Sequence, residues 1–116
     1  MNLYTCAIDL KSDSKALVFA KAMEDWMGHL KGIGVINNWR LMRRKLNLAS
    51  GGYRDFLLEI EVDDLSQLDR AFRTLGKHDD DIDAKYRAVH ELIGQSDFAL
   101  YRPFPDPERA ERMALI

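Results

Sequence analysis

Residues 35–62, VINNWRLMRRKLNLASGGYRDFLLEIEV, contain the choice on which the fold turns. The second half is plain: Phe56, Leu58, Ile60 and Val62 alternate with Asp55, Leu57, Glu59 and Glu61, a period of two that marks a strand. The first half is ambiguous, because Trp39, Met42 and Leu46 also suit a helical spacing. Its neighbours decide the matter. NLASGGY is a turn-rich link with two adjacent glycines, and two extended runs joined by such a link form an antiparallel hairpin.

Chemistry then selects the register. In one alignment Arg44 faces Asp55, Arg40 faces Glu59 and Asn38 faces Glu61, while Leu41 meets Leu58 and Trp39 meets Ile60 on the other side. A slip of one residue exchanges the faces and sets Leu41 and Trp39 against glutamates. Opposite-charge and apolar cross-strand pairs are each worth roughly 0.2–1 kcal/mol over alanine pairs, so the first alignment is expected.

Outward from the hairpin the elements fall into place. Residues 2–10, NLYTCAIDL, alternate with Tyr4, Cys6, Ile8 and Leu10 on one side and read as a strand. KSDS supplies N-cap oxygens for a helix of four to five turns carrying Leu17, Phe19, Ala20, Met23, Trp26, Met27 and Leu30, which KGIG terminates. In DDLSQLDRAFRTLGK, Asp64 and Gln67 have the spacing of a capping box, Leu65, Leu68, Phe72 and Leu75 form the stripe, and Gly76 stops the helix. A further helix is expected from about Ile82 to Ile93, with Ile82, Tyr86, Val89 and Ile93 inward and Gly94 closing it. DFALYRPF is the last strand, ending at Pro103. Residues 105–116 read as a short helical tail, capped by Asp106 with Pro107 at its first position. One domain, residues 1–104, precedes that tail.

Strand, helix, strand, strand, helix pair, strand is the order of an α+β, ferredoxin-like βαββααβ sandwich. Two right-handed crossovers set the first and third strands in the centre of a four-stranded antiparallel sheet, with the helices on one face. The other face carries Thr5, Ala7, Asp9, Asn38, Arg40, Met42, Arg44, Leu57, Glu59 and Glu61, a mixture that wants a cover or solvent. The FLLEIEVDDL strand running into a leucine-spaced helix, with the GVINNWRLMRRKL arm before it, resembles the dimeric α/β-barrel superfamily over residues 2–104. The likeness is closest to a functionally uncharacterised branch. It implies that the sheets of two chains pack face to face as a barrel, so the expected partner is a second copy of the chain.

The basic cluster of Arg40, Arg43, Arg44 and Lys45 beside Trp39 also has the ingredients of a phosphate grip. The formal charge of −2 argues against nucleic acid or an anionic membrane as partner. Arg40 and Arg44 are instead expected to point into the barrel, neutralised by Asp55 and Glu59 or by carboxylates of the partner chain. Arg43 and Lys45 lie near the hairpin's open end, where basic side chains discourage edge-to-edge pairing. A single cysteine, Cys6, excludes an intrachain disulfide. With neither a signal-peptide pattern at the start nor a long apolar run, a cytoplasmic protein is expected.

No nucleophile, phosphate-loop or metal motif stands out, and no metal or cofactor is expected. His78 in KHDDDID reads as a solvated inter-helix loop, His29 as an imidazole suited to a helix C-terminus, and His90 as a hydrogen-bonded histidine beside Tyr86. Cys6 and the Trp26, Met23 and Met27 set read as core. Some members of the superfamily are cofactor-independent monooxygenases, haem-degrading oxygenases or isomerases with pockets between sheet and helices. The Asn-Trp-His set of the haem-degrading ones is not matched, because no tryptophan follows Trp39. The expected function is a homodimer binding a small organic ligand beside the sheet, with Asn38, Arg40, Glu59, Tyr101 and His90 as candidate contacts. Two alternatives stand beside it. One is a monooxygenase or isomerase for a small aromatic or polyketide-like substrate, with His90 or Tyr101 handling the proton. The other is a structural or regulatory dimer without a ligand.

Overall fold

A computed structural model gives the architecture and describes residues 1–46, 48–75 and 80–105. The elements are β1 (Asn2–Leu10), α1 (Ala16–Gly32), β2 (Asn38–Arg43), β3 (Phe56–Val62), α2 (Leu65–Leu75), α3 (Asp80–His90) and β4 (Ile93–Tyr101), with a 3-10 turn at Asp13–Lys15. The strands form one antiparallel sheet in the order β2-β3-β1-β4. This is the ferredoxin-like arrangement, with β1 and β3 central.

The hairpin adopts the register that chemistry selects. Asn38 pairs with Glu61, Trp39 with Ile60, Arg40 with Glu59 and Leu41 with Leu58. Backbone bonds from Asn37 N–H to Glu61 and from Arg44 N–H to Asp55 extend the ladder at both ends. One face of the sheet, with Cys6, Ile8, Phe56, Leu58, Ile60 and Val62, packs against Phe19, Met23, Trp26, Met27 and Leu30 of α1, Leu68 of α2 and Val89 of α3.

α1 ends in a Schellman motif: Val35 N–H bonds to Leu30 O, Gly34 N–H bonds to Lys31 O, and Gly34 takes the left-handed conformation (φ +80°) that its missing Cβ permits. At its start, however, Ser12 makes no capping bond and its hydroxyl pairs with that of Ser14. Leu17, expected inward, is 86 % exposed. The intervening 3-10 turn rotates the first helical residues, so that Ala16 packs on the core in its place.

α2 starts with a variant of the expected capping box. Gln67 N–H donates to Asp64 Oδ1 (2.8 Å), while the Gln67 side chain reaches back to the N–H of Asp63, one residue earlier than usual. Gly76, expected to stop this helix, and the tail from Asp106 onward lie outside the described residues.

The boundary between α3 and β4 differs from the sequence reading. Ile93 and Gly94 belong to β4, which begins well before Asp97, and α3 ends at His90. Ile93 pairs with Leu10, at a register shift in β1 between Asp9 and Leu10. A Cβ on Gly94 would sit 3.3 Å from Asp9 O and from the carbonyl of Leu10, so this glycine admits a close strand approach and closes no helix.

Candidate functional site

The two faces of the sheet carry different chemistry. On the open face the pairings set out rows: Asn38, Glu61, Leu3 and Tyr101; Arg40, Glu59, Thr5 and Ala99; Met42, Leu57, Ala7 and Asp97. Arg40 clasps Glu59 with two bonds, Nε to Oε1 at 2.7 Å and Nη2 to Oε2 at 3.1 Å. Glu59 is only 7 % exposed, and this contact raises the Arg40 pKa further.

At the hairpin end the pairing departs from expectation. The Asp55 carboxylate takes Arg43, and Arg44 serves as a nearby positive charge for Asp9. The Arg43 guanidinium lies 5.1 Å over the Phe56 ring, a cation–π contact that carries it round the sheet edge to Asp55. Arg54 bridges Asp9, Asp97 and Gln95 and ties the hairpin to β1 and β4.

On the helix-covered face a cavity of about 250 Å³ lies between sheet and helices. Its walls come from alternate residues of β1 (Tyr4, Cys6, Ile8), from Leu58 and Ile60 in β3, from Trp26 and its neighbours in α1, from Ala71 and Phe72 in α2, from Tyr86 and His90 in α3, and from Ser96 and Phe98 in β4. Among the described residues the lining contains no lysine, arginine, aspartate or glutamate. Among its residues Phe72, His90 and Phe98 are the exposed ones, which puts the mouth between α2, α3 and β4.

Aromatic rings bracket the space. Tyr4 meets Phe72 edge-on at 5.6 Å and stacks on Phe98 at 6.0 Å. Across the cavity Tyr86 stacks on His90 at 3.7 Å and meets Trp26 edge-on at 5.9 Å. Two polar groups in the walls are held neutral by burial. Burial, with Cys6 adjacent, pushes the Tyr4 hydroxyl up to about 12, and burial pushes the Cys6 thiol up to about 11. Cys6 is therefore an unreactive thiol in a hydrophobic wall. His90 Nδ1 lies 2.9 Å from Tyr86 O. A carbonyl only accepts, so Nδ1 carries a proton and donates it, and Nε2 is the ring nitrogen left to face a ligand.

The five candidate contacts thus divide between the faces. Asn38, Arg40 and Glu59 cluster on the open face. Tyr101 shares that face but lies on β4, about 14 Å across the sheet from β2. His90 stands on the opposite side, at the cavity mouth, so His90 and Tyr101 cannot serve one reacting centre. Sequence reading passed over Tyr4, Phe72, Ser96 and Phe98 as cavity residues and placed Trp26 only in the core. The alternation of β1 already set Tyr4 beside Cys6 and Ile8, but the face of Phe98 follows only from its pairing with Cys6.

His29 stacks on Trp26 at 6.0 Å, and its Nε2 is buried without a hydrogen-bond partner. His78 lies outside the described residues. Among the described residues no group of three His, Cys, Asp or Glu side chains is placed to hold a metal ion, and no helix is long and apolar enough to cross a membrane.

Solved structures share this fold at low sequence identity. A dimeric protein of unknown function and ferredoxin-like fold from Bacteroides fragilis superposes with a TM-score of 0.61 at 16% identity, covering 88% of this chain and 95% of that one. A dabb family protein with a ferredoxin-like fold from Mesorhizobium loti gives 0.63 at 19% identity, covering 89% and 96%. A dimeric ferredoxin-like protein of unknown function from Jannaschia gives 0.66 at 7% identity, covering 88% and 98%. No curated protein matches the chain in sequence. The pattern of one sequence family, described as a family of unknown function (DUF6614), matches residues 1–116.

Proposed function

The chain belongs to the DUF6614 family, and from that premise we propose that it is a cytoplasmic homodimer that binds a small, uncharged aromatic molecule in the cavity between sheet and helices. The observation that carries this reading is the lining itself: aromatic on two sides, without Lys, Arg, Asp or Glu among the described residues, and equipped with hydrogen-bonding groups at Tyr4, Tyr86, Ser96 and His90. Apolar pockets with a few convergent polar groups are the usual form of a small-molecule site. The size suits a compact ligand of one or two rings.

p-Cresol is a suitable neutral probe and benzoate its charged counterpart. In an NMR titration, p-cresol shifts the Trp26 indole N–H and the amides of Tyr4, Cys6 and Ser96 in a saturable way, and benzoate shifts them far less. Equal responses to the two compounds would remove the uncharged class, and no saturable response to either would remove the site.

Dimerisation uses the open face. Met42, Leu57 and Tyr101 are exposed there around the Arg40–Glu59 pair, and similar solved structures are described as dimeric. In a face-to-face pair Asn38, Arg40 and Glu59 meet the second sheet, as contacts of the dimer rather than of the helix-side cavity.

One observation favours a catalytic reading beside the binding one. The Nδ1 bond of His90 leaves Nε2 as a proton acceptor at the mouth, the requirement of a general base for an isomerase or cofactor-independent oxygenase. Exchange of the acidic α-hydrogens of a ketone such as 2-indanone, followed by deuterium incorporation, is then lost in His90→Ala and kept in Tyr101→Phe. Unchanged exchange in His90→Ala ends that role.

A further inference from the structure

The cavity has two unlike ends. Tyr4, Phe72, Tyr86, His90 and Phe98 stand towards its mouth, all of them aromatic and half-buried or exposed. The inner end is closed by Met23, Met27 and Leu30 of α1, Ile36 of the following connection, Leu58 of β3 and Leu68 of α2. None of these six is more than 8 % exposed, and their side chains offer only carbon and sulfur. β3 and β4 flank β1 on opposite sides, so the two ends lie about 10 Å apart across the sheet.

This division dictates how a ligand must lie. A hydroxyl or carbonyl pushed to the inner end loses its bonds to water and meets no partner among those six side chains. At the mouth the same group finds Tyr86, Ser96 and the Nε2 of His90, and a ring there can meet Tyr4 and Phe98 edge-on or offset-stacked. A bare ring held at the mouth leaves the inner end unfilled, and its lining then forfeits dispersion contacts. The two methionines at that end are unbranched and polarisable, so they adjust to a slender chain. A second rigid ring makes a stricter demand on the shape.

Building on the ligand site proposed above, we infer that the cavity takes an alkyl-substituted ring rather than a bare one. The ring and its polar group sit at the mouth, and an unbranched alkyl chain opposite that group runs inward between Met23, Met27 and Leu58.

A series of 4-alkylphenols from methyl to pentyl tests this on the full chain carrying ¹³C in its methionine methyls. Each added methylene is expected to tighten binding roughly three- to fourfold, until the chain outgrows the space. The terminal methyl of the chain should then show nuclear Overhauser contacts to the methyls of Met23 and Met27. Affinity that stays level from 4-methyl to 4-pentyl overturns the inference while leaving the ligand site standing. Contacts from the chain methyl to Phe98 or Leu100 instead overturn it too, because the chain then lies outside the mouth. Failure of every member to bind, p-cresol included, removes the ligand site itself and the inference with it.

Discussion

Asp9 shows how one side chain can hold separate parts of the sequence together. It accepts the N–H of Asp55 at 2.9 Å through Oδ1 and the Arg54 guanidinium at 2.9 Å through Oδ2. The backbone bond from Asp55, followed by Arg54, lowers its pKa below the ordinary carboxylate value. The folded state therefore holds the Asp9 proton less tightly than the unfolded chain. The resulting stabilisation is complete above the ordinary aspartate value of about 3.9 and is lost as pH falls through the depressed folded value. In Asp9→Asn the midpoint of urea unfolding should fall near neutral pH, and the difference from the parent should shrink as the pH drops below about 4. A difference constant with pH would show that the carboxylate charge is not the stabilising element. The Arg43–Asp55 contact carries a related lesson. The aspartate was read as the partner of Arg44, its cross-strand neighbour, but a long guanidinium stabilised over Phe56 reaches it from the next residue.

Among the elements, junctions matter more than interiors. Gln67 is 4 % exposed and joins three segments: its side chain accepts from Asp63 N–H and donates to Gly34 O and to Asn37 Oδ1. Gln67→Ala removes all three bonds; the groups it leaves lie on exposed residues that water can reach, so a cost of about 0.5–1.5 kcal/mol in chemical denaturation is expected. Gly94 is the other junction. In Gly94→Ala the new methyl meets the backbone of Asp9 and Leu10, which cannot rotate away, and a loss of roughly 1–3 kcal/mol should follow. Full stability in that variant would mean that the strands separate there at little cost. Both positions were partly legible. Gln67 stands three residues after Asp64, the spacing of a capping box, so its capping role was readable while its reach to the α1–β2 connection was not. Gly94 looked like a helix stop because Ile93 continues the spacing of Ile82, Tyr86 and Val89. The close approach that explains it comes from β1, more than eighty residues earlier in the chain.

At the scale of the whole molecule the proposed dimer rests on the open sheet face. Leu57 lies at the centre of that face on β3, between Met42 and Ala7. Stable homodimers of this size class often bury more than about 2,000 Å² and tolerate an uncompensated charge at the centre poorly. The parent is expected to sediment as a dimer at micromolar concentration and Leu57→Arg as a single-chain species, with circular dichroism unchanged. A parent that sediments as a single chain would remove the dimer and return the face to solvent.

What the sequence determined by itself was local or short-range: the alternation of β1 and β3, the α1 terminus at Gly34, the α2 cap, and the hairpin register, where charge and apolar pairing lie within one continuous stretch. The order of those elements then restricts the topology, because crossovers have one hand. The tertiary structure alone decided the start of β4, the face on which Phe98 and Tyr101 lie, and the cavity. The first two follow from pairing with β1 across nearly the whole chain. The cavity is space that packing leaves unfilled between β1, β3, β4 and the three helices, and no residue pattern along the chain encodes a volume that exists only once six elements have been brought together.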